Sequence, residues 1–530
     1  MLVLAGVLLS LGIVIRIANP RGAWGRRLRS RFFLGIPWGT LITIAGVTAF
    51  YLFVQGGLNH PYSPVVIPFR SWSYYYPLGI VTAPFAHAGF AHISGNLLGT
   101  LAFAPIAEYA WSHFPTERGT QSFSSWRTNP FVRILAVPFG AFVVGLLTGL
   151  FALGPVIGFS GVVFAFAGFA LVTYPLALVV AFAGDQVLSL LFQSIRNPVS
   201  IAQAGPGFSS PWWAGIAYQG HVLGLLLGAG LGIAVQYWRA DRTSAGRLWL
   251  GAVILTIGQG LWALYVPLGK GRYVLFRAGG AIVMFLLAAL VTAAATASNR
   301  TLIDRINFRS REAAIGFFLS VLIAVSVVAV PVNLTTVSAS PFDTSVHVQD
   351  YTVTYGENVQ NQYVPHVKIP FFGEATSSTT SGVIVVSEQR SIFWPVVSKT
   401  RLAYSGRADV RVGGPGWRKT IVVNRTGWEA AGNSSVYKVF LKPPDGQPKL
   451  AFSSNATTVE PRIAGRRILL EPTDSAFELQ VYDGNQSTGR TPMPVAGENV
   501  TAGGLRFNRT NRSVYAIRNG TRVRIARRRN

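Results

Sequence analysis

The stretch Tyr218 to Gly232 reads YQGHVLGLLLGAGLG. Gly220, Gly224, Gly228 and Gly232 recur every four residues, so on a helix of 3.6 residues per turn they form one stripe. Such a stripe lets a second helix approach to backbone contact, a mode of packing favoured inside bilayers. The remaining residues are apolar except at the start, where His221 stands. An ionisable side chain at the end of a membrane span is expensive and therefore a functional candidate. The competing reading is a histidine satisfied by hydrogen bonds between helices.

A matching small face lies upstream, in GPVIGFSGVVFAFAG from Gly154 to Gly168, where Gly161, Ala165 and Gly168 recur at helical spacing. Pro155 is expected to start this helix, placing Ser160 about five residues in and roughly 7–8 Å along it. Alone, Gly-x-Ser-Gly reads equally well as a packing motif, because serine and glycine are common in helix contacts. Two small faces meeting would set Ser160 beside His221. Serine becomes nucleophilic when a base within hydrogen-bond reach takes its proton, and histidine suits that task near neutral pH.

The surrounding composition is that of a membrane protein. Half of the 530 residues are apolar and 12% are charged, with mean hydropathy +0.39, against about a quarter charged in soluble chains. A bilayer needs roughly 20 apolar residues per helical span. Spans are predicted at Leu2–Ile15, 34–56, 88–110, 131–152, 156–173, 175–195, 213–237, 248–268, 274–296 and 313–332. Asp185 and Gln186 interrupt the sixth; it is kept because without it Ser160 and His221 would open on opposite membrane faces. Asp185 is expected to face other helices or water, as a functional group or as a tolerated polar one.

Basic clusters at Arg21, Arg26, Arg27, Arg29 and Arg31, at Arg239, Arg242 and Arg247, and at Arg300, Arg305, Arg309 and Arg311 all fall on one side of these ten spans. By the positive-inside rule that side is cytoplasmic, and both termini lie outside the cytoplasm. The net charge of +26 is thus partly topological, and no nucleic-acid motif accompanies it. No cysteine is present, which removes disulfides, cysteine proteases and Cys-ligated metal sites. No zinc motif of the His-Glu-x-x-His kind occurs, and neither metal nor cofactor is expected.

From Asn333 the character changes. SVHVQDYTVTY, GVIVVSEQ and KTIVVN alternate or run in β-branched residues between Gly, Pro and Asn, which predicts an all-β domain of short strands. Nine Asn-x-Ser/Thr sequons occur there, at Asn333, Asn424, Asn433, Asn455, Asn485, Asn499, Asn508, Asn511 and Asn519, as expected of an exposed, glycosylated, extracytoplasmic domain. Asn299 also heads a sequon but lies on the cytoplasmic side and is expected bare. The run Arg527, Arg528, Arg529 is expected to be a solvated or lipid-facing tail. The fold class is therefore a polytopic α-helical membrane protein followed by an all-β extracytoplasmic domain.

An acyl transfer also needs donors for the developing oxyanion. His92 and Asn96 are four residues apart, about 40° around a helix, and both can donate without a buried charge. His87 is expected to precede that helix. Taken together, HAGFAHISGN from His87 to Asn96, GFSG from Gly158 to Gly161 and HVLGLLLG from His221 to Gly228 resemble the three marks of the rhomboid family of intramembrane serine proteases. The resemblance implies a six-helix core, Ser160 as nucleophile, His221 as base, and His92 and Asn96 at the oxyanion hole. Its substrates would be transmembrane proteins, met in the lipid bilayer.

Two positions depart from the family pattern. Arg70 and Trp72 lie farther upstream than the family's Trp-Arg pair, and Phe164 stands where a tyrosine often packs under the histidine. The phenyl ring is expected to stack there equally well. The chain divides on this reading into an extra N-terminal helix with a basic loop (1–33), the rhomboid-like core (34–237), three added helices (238–332) and the β domain (333–530). The loop 196–212, ahead of Trp212 and Trp213, is placed to act as a lid. The alternative is an inactive rhomboid-like protein that binds membrane clients. A transporter would call for paired repeats with broken helices, which the sequence lacks.

Overall fold

The computed structural model describes residues 5, 8–10, 12–13, 16–17 and 23–529, apart from 197–210, 212–216, 241–242, 270–271, 299–300, 304–307, 339–343, 363–367, 370–372, 375–378, 433 and 475. The chain forms two compact units, Met1–Thr336 with Gly413–Gly416, and Val337–Val412 with Trp417–Asn530. The first is largely helical and the second is built of sheets.

Among the described residues the first unit contains nine apolar helices. They are α1 (Trp38–Val54), α2 (Phe90–Trp111), α3 (Pro130–Phe151), α4 (Ser160–Thr173), α5 (Pro175–Arg196), α6 (Tyr218–Arg239), α7 (Ala245–Gly258), α8 (Arg277–Thr296) and α9 (Ser310–Asn333). Six of them are long and apolar enough to cross a membrane, while α1, α4 and α7 are shorter. The predicted span Leu2–Ile15 lies largely outside the described residues, as does the loop 196–212 beyond Arg196 and Pro211, together with Trp212 and Trp213. Large apolar side chains such as Phe139, Val180, Leu231, Leu286 and Phe317 point outward. Water would penalise that surface, whereas lipid does not.

The two glycine-bearing faces meet as their spacing predicts. A Cβ on Gly224 would stand 2.1 Å from the Gly161 carbonyl oxygen, one on Gly228 1.9 Å from that of Ala165, and one on Gly168 2.2 Å from that of Leu225. No side chain fits those gaps, so α4 and α6 touch backbone to backbone. Leu171, Leu225, Leu226 and Ala229 fill the space beside the seam and are fully buried.

Two boundaries differ from the sequence reading. Helix α4 begins at Ser160, not at Pro155. The chain before it bends, with Gly158 at φ +122°. Its backbone groups are taken by neighbouring loops: Gly158 N–H donates to Ala83 O at 2.9 Å, and Val156 O accepts from Ser71 N–H at 3.2 Å. Those bonds satisfy the backbone without a helix. Helix α7 ends at Gly258 instead of running to 268; the chain turns at Gly260, φ +70°, into an antiparallel pair, Tyr265–Gly269 with Arg272–Leu275.

Buried polar groups fix the helix ends. Glu108 of α2 accepts from Gly39 N–H at 2.7 Å, Thr40 N–H at 2.8 Å and Thr40 Oγ1 at 2.7 Å, and His113 Nε2 lies 2.6 Å from its Oε1. A carboxylate at the start of α1 answers both the orphan N–H groups and the helix dipole. At the end of α9, Asn333 is 1% exposed. Its Nδ2 donates to Leu150 O at 3.1 Å and Ala152 O at 2.9 Å, and its carbonyl accepts from Tyr74 N–H at 2.8 Å. The side-chain nitrogen that a glycan would need is therefore engaged and buried, which removes Asn333 from the expected set. Asn455, Asn485, Asn499, Asn511 and Asn519 are exposed; Asn299 and Asn433 lie outside the described residues.

The second unit contains three larger antiparallel sheets among the described residues. One orders Ile392–Ser398, Thr379–Ser387, Tyr351–Gln360 and Ser345–Val348. The largest runs from Lys449–Ser453 through Ser435–Lys442, Trp417–Ala430, Thr521–Arg529, Ser513–Arg518 and Leu505–Thr510 to Asn499–Ala502, with Arg407–Gly414 also on Trp417–Ala430. The third orders Thr457–Thr458, Arg467–Pro472, Phe477–Asp483 and Gln486–Pro492. Inward residues alternate along the strands, so that Ile468, Leu470, Leu479, Val481, Leu505, Phe507, Val514 and Ala516 share one core. The terminal arginines are not a loose tail. Arg527, Arg528 and Arg529 pair with Glu429, Trp428 and Gly427 inside the large sheet, because backbone pairing outweighs the cost of adjacent charges, which solvent screens at the exposed Arg527 and Arg528.

The seam gives a direct test. Gly228→Ala places a methyl group against the α4 backbone and should cost about 1–3 kcal/mol or more, the usual penalty of overpacking. Gly246→Ala, at a position with no atom within 4 Å, should leave the thermal midpoint in detergent unchanged or slightly raised. Equal midpoints for the two variants would contradict the seam.

Candidate active site

Ser160 is the first residue of α4, so its N–H has no intrahelical acceptor and sits at the positive end of the helix. His221 lies in the first turn of α6, one residue after the seam glycine Gly220. Because the seam brings the two helix starts together, Ser160 Oγ and His221 Nε2 are 2.9 Å apart. Phe164, one turn beyond the serine, stacks on the imidazole with ring centroids 4.4 Å apart and planes 19° from parallel. The phenyl ring thus holds the histidine where the family more often uses tyrosine. His221 Nδ1 is buried with no hydrogen-bond partner among the described residues, so the arrangement is a pair, with no carboxylate behind the imidazole.

His92 and Asn96 project from α2 toward the bend before the serine. A Cβ on Gly158 would lie 2.5 Å from His92 Cε1 and 3.4 Å from Asn96 Nδ2; glycine permits this approach as well as the positive φ. His92 Nδ1 accepts from Ala88 N–H at 3.4 Å, which leaves Nε2 to carry the proton in the neutral ring. Asn96 Nδ2 is buried without a partner among the described residues. A buried amide donor left without an acceptor is costly, and this one stands with the His92 ring against the bend before Ser160.

Residues that sequence reasoning left aside build the platform beneath them. His87 precedes α2, as expected, and bridges two loops, with Nδ1 3.1 Å from Phe85 O and Nε2 accepting from Phe159 N–H at 3.5 Å. Gln55, fully buried at the end of α1, donates to Val65 O at 2.8 Å and His87 O at 3.0 Å and accepts from His87 N–H at 2.7 Å. Its position at the end of an apolar run was the available signal. Arg70 donates to Pro155 O at 2.9 Å and so braces the bend from a place in the chain that the family pattern does not indicate.

Ser160, His221, His92, Asn96 and Arg70 line one cavity of about 650 Å³, and Asp185 of α5 lines it as well. All four site residues expected from the sequence therefore converge. Residues 74–238 match the family model described as Rhomboid domain. These residues form a rhomboid domain. The rhomboid domain spans α2 to α6 and includes all four residues; α7 to α9 and the β unit lie beyond it. No curated protein and no solved structure matches the chain.

Gln55 offers a test of the platform. Gln55→Leu strands the His87 N–H and two carbonyls and should cost about 1–3 kcal/mol for each group left unsatisfied, read as a lowered thermal midpoint in detergent. Gln121→Leu, at an exposed position, should not shift it. An unshifted midpoint for Gln55→Leu would show that the platform is not needed.

Proposed function

We propose that this rhomboid-family membrane protein is an intramembrane serine endopeptidase that uses a Ser160–His221 dyad. The observation that carries the reading is the 2.9 Å contact between Ser160 Oγ and His221 Nε2 beside the unpartnered Asn96 Nδ2. A base within reach of a nucleophile, with donors facing the place where an oxyanion would form, is the minimum equipment for acyl transfer.

In the proposed cycle a transmembrane substrate enters from the lipid and unwinds near the outer face, presenting its scissile carbonyl to Ser160. The Oγ–C bond forms as neutral His221 takes the hydroxyl proton at Nε2. The carbonyl oxygen, now negative, receives hydrogen bonds from Ser160 N–H, His92 Nε2–H and Asn96 Nδ2–H. Collapse of the intermediate breaks the C–N bond as His221 returns its proton to the leaving amine. A water molecule then repeats the sequence on the acyl ester, losing a proton to His221 and releasing the new carboxylate while Ser160 regains its hydrogen. The Phe164 ring keeps the imidazole plane fixed throughout.

The basic loops 238–247 and 297–312 and the exposed sequons support a multi-pass placement in the cell membrane with both termini extracytoplasmic. On that reading the β domain takes no part in the chemistry and is available to recruit substrates. The boundaries 1–33, 34–237, 238–332 and 333–530 are the working division.

The test compares cleavage of a single-pass substrate by the purified wild type and variants, each checked for folding. Ser160→Ala or His221→Ala should abolish cleavage, and Asn96→Ala should reduce it about 10²–10³-fold or less. EDTA should have no effect on the wild type. Cleavage by Ser160→Ala, or loss of wild-type activity in EDTA, would overturn the mechanism. A folded wild type that binds single-pass helices and cuts none would favour the inactive client-binding reading.

A further inference from the structure

The cavity that holds the dyad is not closed by the rhomboid domain alone. Gln259 and Tyr265 line it, and both lie beyond residue 238, where the matched domain ends. Gln259 directly follows α7, and Tyr265 opens the antiparallel pair after it. The added part of the chain therefore supplies one wall. On the adjoining wall, contributed by α5, stands Asp185, the single carboxylate among the residues lining the cavity.

Asp185 does not behave as a surface charge. Val180, Val187 and Leu190 of the same helix point outward, whereas Asp185 is half-buried and faces the cavity. Among the described residues its carboxylate has one polar contact, a 3.5 Å approach from the neighbouring Gln186 Nε2, and no ion pair. A carboxylate within a membrane span costs about 2.5 kcal/mol or more, and such groups are kept where they meet a partner. Gln259 and Tyr265 add neutral polar groups, and the one cation among the lining residues, Arg70, turns to Pro155 O at 2.9 Å and makes no ion pair with Asp185. A basic side chain of a substrate entering the cavity would give the carboxylate the partner it lacks there.

We propose that Asp185, with Gln259 and Tyr265 lining the same cavity, forms a subsite for a Lys or Arg side chain of the substrate. The subsite rests on the protease reading, and it makes α5 and the segment after α7 the determinants of which sequences are cut. A basic residue near the scissile bond would neutralise Asp185 in a medium of low dielectric, where such pairing is worth far more than in water.

The experiment uses the purified full chain and a single-pass substrate whose cleavage site has been mapped. Lys, Arg, Met, Gln and Glu are placed in turn at each residue on either side of the bond. The wild type should show one position at which Lys and Arg raise kcat/KM about tenfold or more over Met and Gln, with Glu the poorest. In Asp185→Asn the ratio of basic to neutral substrates should fall toward one, and in Asp185→Lys the order should reverse in favour of Glu. A wild type without any position of basic preference overturns the subsite and needs no variant to do so. A basic preference that survives Asp185→Asn overturns it too. Cleavage of neutral substrates that depends on Ser160, without basic preference, leaves the protease standing and removes the subsite alone. Absence of Ser160-dependent cleavage of every substrate removes both.

Discussion

The approach of α4 to α6 at backbone contact is the constraint on which the site depends. With Gly228 carrying even a methyl group, the helices would have to separate, since a Cβ there would sit 1.9 Å from the Ala165 carbonyl oxygen. A shift of one ångström would open the 2.9 Å contact between Ser160 and His221 beyond hydrogen-bond range. In a bilayer no hydrophobic drive holds two helices together, so close packing of small residues carries the association. The same contact therefore provides both stability and the close approach of Ser160 to His221.

A second requirement acts at the mouth of the site, where the backbone leaves the helix. The bend before Ser160 leaves the serine N–H at the open start of α4, and a bent backbone in a buried place must find partners elsewhere. Ala83, Ser71, Arg70 and His87 provide them, and Gln55 in turn secures His87. Asn333 ties the end of α9 to the end of α3 and to Tyr74, midway between α1 and α2. Asn96 Nδ2 and His221 Nδ1, buried without hydrogen-bond partners among the described residues, lie beside Ser160. Sites of function are where such orphaned groups are retained.

Much of this was legible from local pattern. Glycine at four-residue spacing, a complementary small face and the ring at Phe164 are properties of single helices, and periodicity reports them directly. What local pattern misjudged was set by tertiary partners. Pro155 is a normal first residue for a helix, yet bonds from distant loops hold residues 155–159 out of one. Leu261 to Leu264 continue an apolar run, but the chain reverses at Gly260 and pairs with itself. Asn333 satisfies a sequon and also fits a pocket of carbonyls, a fact visible only when α3 is beside it. Arg527 to Arg529 read as a charged tail because their strand partner lies a hundred residues earlier. Gln55 and Arg70 have roles that no spacing rule announces.

The central claim is that helix contact activates one serine, and the state of that serine can be read chemically. A fluorophosphonate reacts with a hydroxyl whose proton an adjacent base removes, and the modified residue can be located by peptide mass spectrometry in the intact, detergent-solubilised chain. Labelling should fall on Ser160 and disappear in a folded His221→Ala variant. Labelling at another serine, or undiminished labelling of Ser160 without His221, would contradict the account.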